Sequence, residues 1–530
     1  MSRELEQSTS APFKLVVAAT IAICVCLMAV ADGNAAVALA PVFAGALAVA
    51  LWRLPVRVIA HAMLFLALLL DNPTERPGRN LYKSPLYLPG TFLYEPLSKA
   101  AHLPGVKFTG LQLLVLLLFA IIGLRVLFGD TTDGKNRVPA ASPLVRGCLV
   151  SIGTLLALWI YGLARGGKMN YSLLQMQTML FMPIMTLFFA YAFKSRRDVR
   201  ILLTTYLSVA VLRALLCIFY WLTVVRHLGD QGGGQEGDGS YVTTHSDSIL
   251  ASVAMVICVV TIYQRPRLRS FLLAAAVVPV VGLGIVANNR RIAFVAIALG
   301  CFFSYVAAPG PFRRRVHQTV LASLPVLLIY TAAGWNARGG WAKPVQSLKS
   351  VIQQKDASSA TRDIENYNLL QTLKQNPLNG SGFGHMYLEL VQAFDISGIF
   401  EAYRYVPHNS ILWFWSVGGV LGFTAFWMFL SIGVFLAARL IRFAENNPQR
   451  ILGMAAMSAV CAYGAQCYGD MGLMSWMGSL IVASSIGATA SLAAKVGAWQ
   501  GKERSLVTDT SEIDLKLLPT AREARHGGVS

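Results

Sequence analysis

Residues 270–308 read SFLLAAAVVPVVGLGIVANNRRIAFVAIALGCFFSYVAA, two apolar runs, 270–287 and 291–308, on either side of Asn288-Asn289-Arg290-Arg291. A helix needs roughly 17–25 apolar residues to cross a hydrocarbon core of about 30 Å, and each run meets that length. The pattern repeats along the chain, at 13–31, 35–52, 54–70, 109–128, 144–164, 172–193, 200–225, 246–263, 318–334, 409–437, 451–468 and 471–493. We therefore expect an all-α, polytopic integral membrane protein with about fourteen transmembrane helices. The first three spans lie close enough together that a re-entrant or tilted pair is possible among them.

Composition agrees with that reading. Of 530 residues, 55% are hydrophobic and 13% charged, and the mean hydropathy is +0.55. A soluble protein of this size needs more polar surface to cover its core. The net charge of +19 is concentrated in short loops, at Lys194-Ser195-Arg196-Arg197, Arg265-Pro266-Arg267-Leu268-Arg269, Arg313-Arg314-Arg315 and from Arg439 to Arg450. If the spans alternate, these loops share one face, and loops rich in Lys and Arg stay cytoplasmic, so both termini fall inside. Anionic membrane lipid is then partner enough for the charge, and no nucleic acid is expected. The first span lacks a small-residue cleavage site followed by a soluble domain and reads as an anchor. The eight cysteines lie in or beside apolar spans without the paired spacing of a zinc site, and packing is their expected role.

This topology leaves three outer segments: 71–108, rich in Pro and aromatics; 226–245, which carries Gly232-Gly233-Gly234; and 335–408. The domain plan is thus 1–334, helices one to eleven; 335–408, a large, partly helical outer loop; 409–494, the last three helices; and 495–530, a cytoplasmic tail. Within the loop, Asp363 to Gln375 has apolar positions at Ile364, Tyr367, Leu370 and Leu373 and ends at Asn376-Pro377, the pattern of a helix, with Thr361 or Ser359 as its cap.

Polar chemistry in a membrane protein of this composition concentrates in that loop and the turns near it. Arg290 and Arg291 stand on the outer side, against the charge rule; they snorkel to lipid phosphates or hold a phosphate or pyrophosphate, which the planar guanidinium fork binds bidentately. Arg362 pairs with Asp363 and Glu365 at the surface or serves the same anion. Asp363 and Glu365, two apart on a helix, make a poor acid–base pair with each other. Two imidazoles are candidates for a general base, His385 and His408, and spacing does not separate them. Gly380, Gly382 and Gly384 lack the strand and spacing of a dinucleotide fingerprint; they shape the loop or let backbone approach a bulky substrate. No carboxylate cluster suggests a metal, and no cofactor is expected.

In order, Arg291-Ile292-Ala293-Phe294, Thr361-Arg362, the loop helix, Asn376-Pro377-Leu378-Asn379-Gly380-Ser381-Gly382-Phe383-Gly384, Pro407-His408-Asn409 and Gly418-Gly419-Val420-Leu421-Gly422 resemble the O-antigen ligase and polysaccharide polymerase family of bacterial inner membranes. The likeness runs from about residue 280 to 437. Family members often carry Trp a few residues after the loop Arg, where this chain has Glu365 and Asn366.

The resemblance implies a metal-independent glycosyltransferase whose donor is an undecaprenyl-pyrophosphate-linked glycan at the periplasmic face. It implies His408, rather than His385, as the base that activates the acceptor hydroxyl, with Asn409 beside it, and Arg291 and Arg362, supported by Arg290, as pyrophosphate ligands. Within the family a polymerase extends another lipid-linked repeat unit, whereas a ligase passes glycan to lipid A-core or, in some relatives, to protein. The number of spans and the outer segment 71–108 lean towards a polymerase, with a chain-length regulator and a flippase as functional partners. The rival class is a lipid or polysaccharide transporter, which needs ionisable residues deep in its spans; His61 and Arg213 are the few found there.

Overall fold

The computed structural model describes residues 35–75, 84–100, 107–128, 140–225, 242–349 (without 265, 289, 338–339, 343 and 347–348), 357–392 and 401–499, and parts of 18–29. The described residues form helices, turns and one isolated bridge, Pro96 to Thr109, with no strand. The longer helices are α1 (Ala35–Arg53), α2 (Val56–Leu69), α3 (Tyr87–Tyr94), α4 (Gly110–Leu127), α5 (Ser142–Ala164), α6 (Met169–Ala192), α7 (Arg196–Tyr220), α8 (Asp247–Gln264), α9 (Leu268–Asn288), α10 (Arg291–Ala307), α11 (Gly310–Gly334), α12 (Ala357–Gln375), α13 (Ser410–Phe443), α14 (Asn447–Gly469) and α15 (Trp476–Lys495). Each expected span from 35–52 onward coincides with one of them; the span 13–31 lies largely outside the described residues. Ten are long and apolar enough to cross a membrane, while α2 and α10 are shorter apolar helices. The protein is an all-α, polytopic membrane protein.

The chain divides into two compact units, residues 1–74 with 83–137, and residues 75–82 with 138–530. In the first, Arg125 of α4 is buried and its Nη2 donates to the carbonyls of Leu51 (3.2 Å), Trp52 and Leu54 (2.8 Å) at the end of α1. A guanidinium at a helix C-terminus meets the carbonyls that have no partner within the helix. Thr109 and Gln112 close the start of α4 with a reciprocal capping box.

In the second unit α15 is the core. Its window is 94% buried, and it packs on α6, α13 and α14. Small residues allow the close approach: a Cβ on Gly487 would stand 2.7 Å from the Thr186 carbonyl of α6. Several of the hydroxyl groups this buries are satisfied by backbone and by one another, as where the Tyr206 hydroxyl of α7 meets Ser484 Oγ at 2.7 Å and donates to the Ile481 carbonyl at 3.1 Å.

The loop helix α12 begins at Ala357, earlier than Asp363, so Ser359 and Thr361 lie within it and do not cap it. Ala357 and Ala360 are strong helix formers and let the helix run on past those hydroxyls. At its other end α12 stops at Gln375, before Pro377, as expected.

Candidate active site

The site rests on a deliberate break in α13. Gly419 has φ +58, and the helix is interrupted there. A break inside an apolar helix exposes carbonyls and amides that lipid cannot satisfy. Here the glycine loop supplies the partners: Ser381 N–H donates to the Ser416 carbonyl (3.0 Å) and Gly382 N–H to that of Val417 (2.9 Å), while Val420 and Leu421 N–H donate to Pro377 (2.9 Å) and Leu378 (3.3 Å). Gly380 at φ +69 would, with a Cβ, meet the Val417 carbonyl at 2.1 Å. The other side of the loop lies on the end of α5, where a Cβ on Gly382 would be 2.5 Å from the Gly162 Cα. The close approach that Gly380, Gly382 and Gly384 permit is therefore to the protein's own backbone, and they shape the loop by plugging the break.

His385 belongs to this plug. Its Nε2 is 3.0 Å from the Gly162 carbonyl, and Gln175 of α6 ties the next turn down by accepting from Gly384 N–H (2.6 Å) and donating to the His385 carbonyl (3.3 Å) and the Tyr405 carbonyl (2.8 Å). The two imidazoles that spacing left level are thus in different surroundings.

His408 is held by α12. Its Nδ1 lies 3.1 and 3.0 Å from the two carboxylate oxygens of Glu365, and its backbone N–H points to the same group at 3.3 Å. One residue on, Asn409 donates to Asn366 Oδ1 (2.9 Å) and caps α13 by accepting from Leu412 N–H (3.1 Å). Glu365 and Asn366 are the residues that clasp His408 and Asn409. The carboxylate side chain is 4% exposed and the imidazole 27%, so the ring is the open member of the pair. Burial pulls the His408 pKa down, but the hydrogen bond and charge of Glu365, with Asp470 adding to them, outweigh this and Arg362; the imidazole ends above its ordinary value.

A second imidazole–carboxylate pair stands beside the first. His245, just before α8, is paired through Nδ1 with Asp470 in the turn after α14, and again the ring is more exposed, 34% against 9%. The other Asp470 oxygen accepts from Met471 N–H (2.8 Å), and Ser410 Oγ at the start of α13 donates to the Asp470 carbonyl (3.0 Å), tying this turn to the His408 segment. Asp470 is held well below the usual carboxylate range: burial would raise it, but His245 foremost, then His408 and Arg290, lower it further than that. His245 is lowered, by burial first and then by the positive charge of Arg290 and His408, against the pull of Asp470.

Two arginines complete the arrangement, and a third, Arg291, follows one of them in sequence. Arg290 is buried, 6% exposed, in the turn between α9 and α10 and is close enough to shift both His245 and Asp470 by its charge. Arg362, one turn before Glu365 on α12, acts in the same way on His408, and its Nε is buried without a hydrogen-bond partner among the described residues. Arg291 is exposed in the first turn of α10. Beneath Arg290, a cavity of about 30 Å³ is lined by Asn288, Arg213, Asp247 and Cys217, among others. Arg213, the deep cation of α7, is neutralised there by Asp247, whose Oδ2 accepts from Nη2 at 3.2 Å. No three His, Cys, Asp or Glu side chains are grouped as metal ligands among the described residues.

Sequence reasoning selected His408, Arg362 and Arg290 from this cluster and missed Glu365, His245 and Asp470. In the sequence Glu365 has visible partners only in Asp363 and Arg362, close to it on the helix; its partner in the structure is 43 residues away. His245 and Asp470 carry no local motif. A buried Tyr387, raised chiefly by burial and then by the charges of Glu365 and Glu389, also borders the site unannounced.

Arginines, a glycine-plugged helix break and a carboxylate-held histidine just before the broken helix form an ordered set, and the comparison with known families bears on the same stretch. The O-antigen ligase family model matches residues 281–427. Over that stretch the chain resembles the O-antigen ligase and polymerase family. The match spans Arg290, Arg291, Arg362, Glu365, the glycine loop, His408 and the break at Gly419, and supports an O-antigen ligase/polymerase-type, glycosyltransferase-like activity. His245 and Asp470 fall outside it. No curated protein matches the chain.

Proposed function

We propose that this protein is a glycosyltransferase that moves a glycan from an undecaprenyl-pyrophosphate donor to an acceptor hydroxyl at the periplasmic face of the bacterial inner membrane. The observation that carries the reading is the Glu365–His408 pair beside the unpartnered Nε of Arg362. A buried guanidinium donor left without a protein partner suits an anion, and an imidazole raised above its ordinary value while held by a carboxylate suits a base working near neutral pH.

With Nδ1–H donated to Glu365, Nε2 of His408 takes the proton of the acceptor hydroxyl as its oxygen bonds to the anomeric carbon. The bond from that carbon to the phosphate oxygen breaks, and its electron pair leaves on the pyrophosphate. Arg290, Arg291 and Arg362 offset the charge that grows there, and Glu365 stabilises the imidazolium. The acceptor we favour is a second lipid-linked repeat unit, making the protein a polymerase of surface or secreted polysaccharide; the ligase reading takes lipid A-core instead. The neutralisation of Arg213 by Asp247 removes an ionisable residue that a transporter path would use.

The test is reconstitution. Purified protein in lipid, given undecaprenyl-pyrophosphate-linked repeat units, should lengthen them, and His408→Ala should lose about 10²–10⁴-fold in rate while still binding the donor. Transfer only to lipid A-core would assign the ligase activity. No transfer to either acceptor, or a His408→Ala variant above roughly a tenth of the wild-type rate, would overturn the assignment of His408 as base.

A further inference from the structure

The turn that leads into His408 also carries an aromatic stack. Tyr405 stands three residues before His408, so chain length alone keeps their Cα atoms within about 11 Å. Its ring is buried and lies against Tyr171, in the first turn of α6, with centroids 3.7 Å apart and planes 9° from parallel. Tyr405 is held from behind: Leu174, Met471 and Met474 pack on the cluster it forms with Ala402 and Val406, and Gln175 donates to its carbonyl at 2.8 Å. Tyr171 is the outer ring of the pair. Its hydroxyl donates to Glu401 Oε1 at 2.6 Å in a solvent-exposed bond, and the exposed Lys168 holds its ammonium 6.0 Å from the ring centroid.

We propose that this stack is a sugar subsite of the reaction at His408: a pyranose ring of the lipid-linked glycan lies on the outward face of Tyr171, its hydroxyls donating to Glu401 and accepting from Lys168. This rests on the donor class of the proposed reaction. A pyranose presents a patch of C–H groups on one face and hydroxyls around its edge, so it needs an aromatic face with polar groups at the rim. Tyr171 has both. The platform is also preformed: Tyr405 backs the ring and Glu401 holds its hydroxyl, so seating a sugar freezes little further motion. Tyr171 takes one of the roughly four acceptor positions of the Glu401 carboxylate, and the rest suit sugar hydroxyls. Charge at the rim selects against a phosphate, which would meet Glu401 as a like charge. The neighbouring Arg404 does not change that balance, because its Nε donates to the Tyr403 hydroxyl at 3.0 Å and its guanidinium is paired with Glu389.

A sugar seated there orients the glycan towards His408 without touching the reacting bond, so Tyr171 and Glu401 are specificity residues and their effect falls on glycan affinity. Two radiolabelled probes separate sugar from pyrophosphate: undecaprenyl pyrophosphate with no sugar, and the same lipid carrying the repeat unit extracted from the producing strain. Saturable binding of each to the full-length protein in detergent gives two affinities, and their ratio is the glycan preference. A thermal melt of every variant accompanies the titrations.

Wild type should prefer the glycan-bearing lipid by about tenfold or more. Tyr171→Leu should lose most of that preference while binding the sugar-free lipid as wild type does, and Tyr171→Phe, which keeps the ring, should retain the larger part. Glu401→Ala, at an exposed position, should lower the preference several-fold, and it decides the matter if Tyr171→Leu does not fold. Full preference in Tyr171→Leu or in Glu401→Ala would overturn the inference, as would a Tyr171→Phe protein that loses as much as Tyr171→Leu. Equal binding of the two lipids by wild type would overturn the subsite and leave the pyrophosphate reading intact. A wild-type protein that binds neither lipid would overturn the donor reading, and this inference with it.

Discussion

Glu365 sets both the direction and the basicity of His408, so changing it without changing its shape separates position from charge. In Glu365→Gln an amide still reaches Nδ1, but the negative charge that raises the imidazole is gone. A base must be deprotonated to act; in wild type the rate therefore rises with pH through a pKa above the ordinary imidazole value. The variant should show that limb at lower pH and a plateau reduced about 10-fold or more, the imidazolium having lost its counter-ion. A pH–rate profile checks it: an unmoved acidic limb would mean that the carboxylate only packs. For Arg362→Lys and Arg291→Lys the expected outcome is loss of most transfer, since an ammonium keeps the charge without the bidentate fork; near-normal product from either would remove that residue from the pyrophosphate ligands. At this scale the sequence exposed His408 and the arginines because they sit in ordered motifs. It concealed Glu365, His245 and Asp470 because a carboxylate and an imidazole that meet only after folding leave no spacing to read.

Between helices, the glycine loop and the break in α13 are one device, and each explains the other's sequence. Gly419→Ala would place a Cβ 2.1 Å from the Leu378 carbonyl at a positive φ, a clash with backbone on top of the roughly 1–3 kcal/mol that a left-handed conformation costs a side chain. It should lower the thermal midpoint in detergent markedly and reduce activity through loss of the plug. His385→Ala and His408→Ala should divide in the opposite sense. The former removes the lock on Gly162 and costs stability with transfer reduced only in proportion; the latter removes transfer with the midpoint nearly unchanged. Thermal melts and activity on the same preparations decide, and a His385→Ala protein that is stable but inactive would exchange the two roles. The apolar spans were legible from length and hydropathy, which bilayer thickness dictates. The break at Gly419 was not, because Gly418-Gly419 sits in a run apolar enough to read as one continuous helix, and the backbone that the loop glycines approach closely, at Val417 and Gly162, is distant in sequence.

For the whole molecule the pattern of exposure is that of a protein with lipid around it. No residue in the hydropathy window of α11 is buried, and Val326, Leu327, Leu328 and Ile329 stand more than half exposed, surface that in water would drive aggregation and in a bilayer is covered by acyl chains. Orientation then decides whether the site faces its proposed donor. Arg313, Arg314 and Arg315 are exposed in the first turns of α11, one membrane crossing away from the loop that leads to α12 and His408. The positive-inside rule puts the arginines in the cytoplasm and the loop in the periplasm. Two single cysteines in a background without the native ones test this: Gly310→Cys, where a Cβ meets open space, and Leu390→Cys, an exposed position between the plug and His408. A membrane-impermeant maleimide added to cells with a permeable outer membrane and an intact inner one should label Leu390→Cys, and should reach Gly310→Cys only after the inner membrane is opened. The reverse order would put both imidazole pairs in the cytoplasm, where a periplasmic lipid-linked glycan never arrives, and the proposed reaction would fail whatever the chemistry of His408.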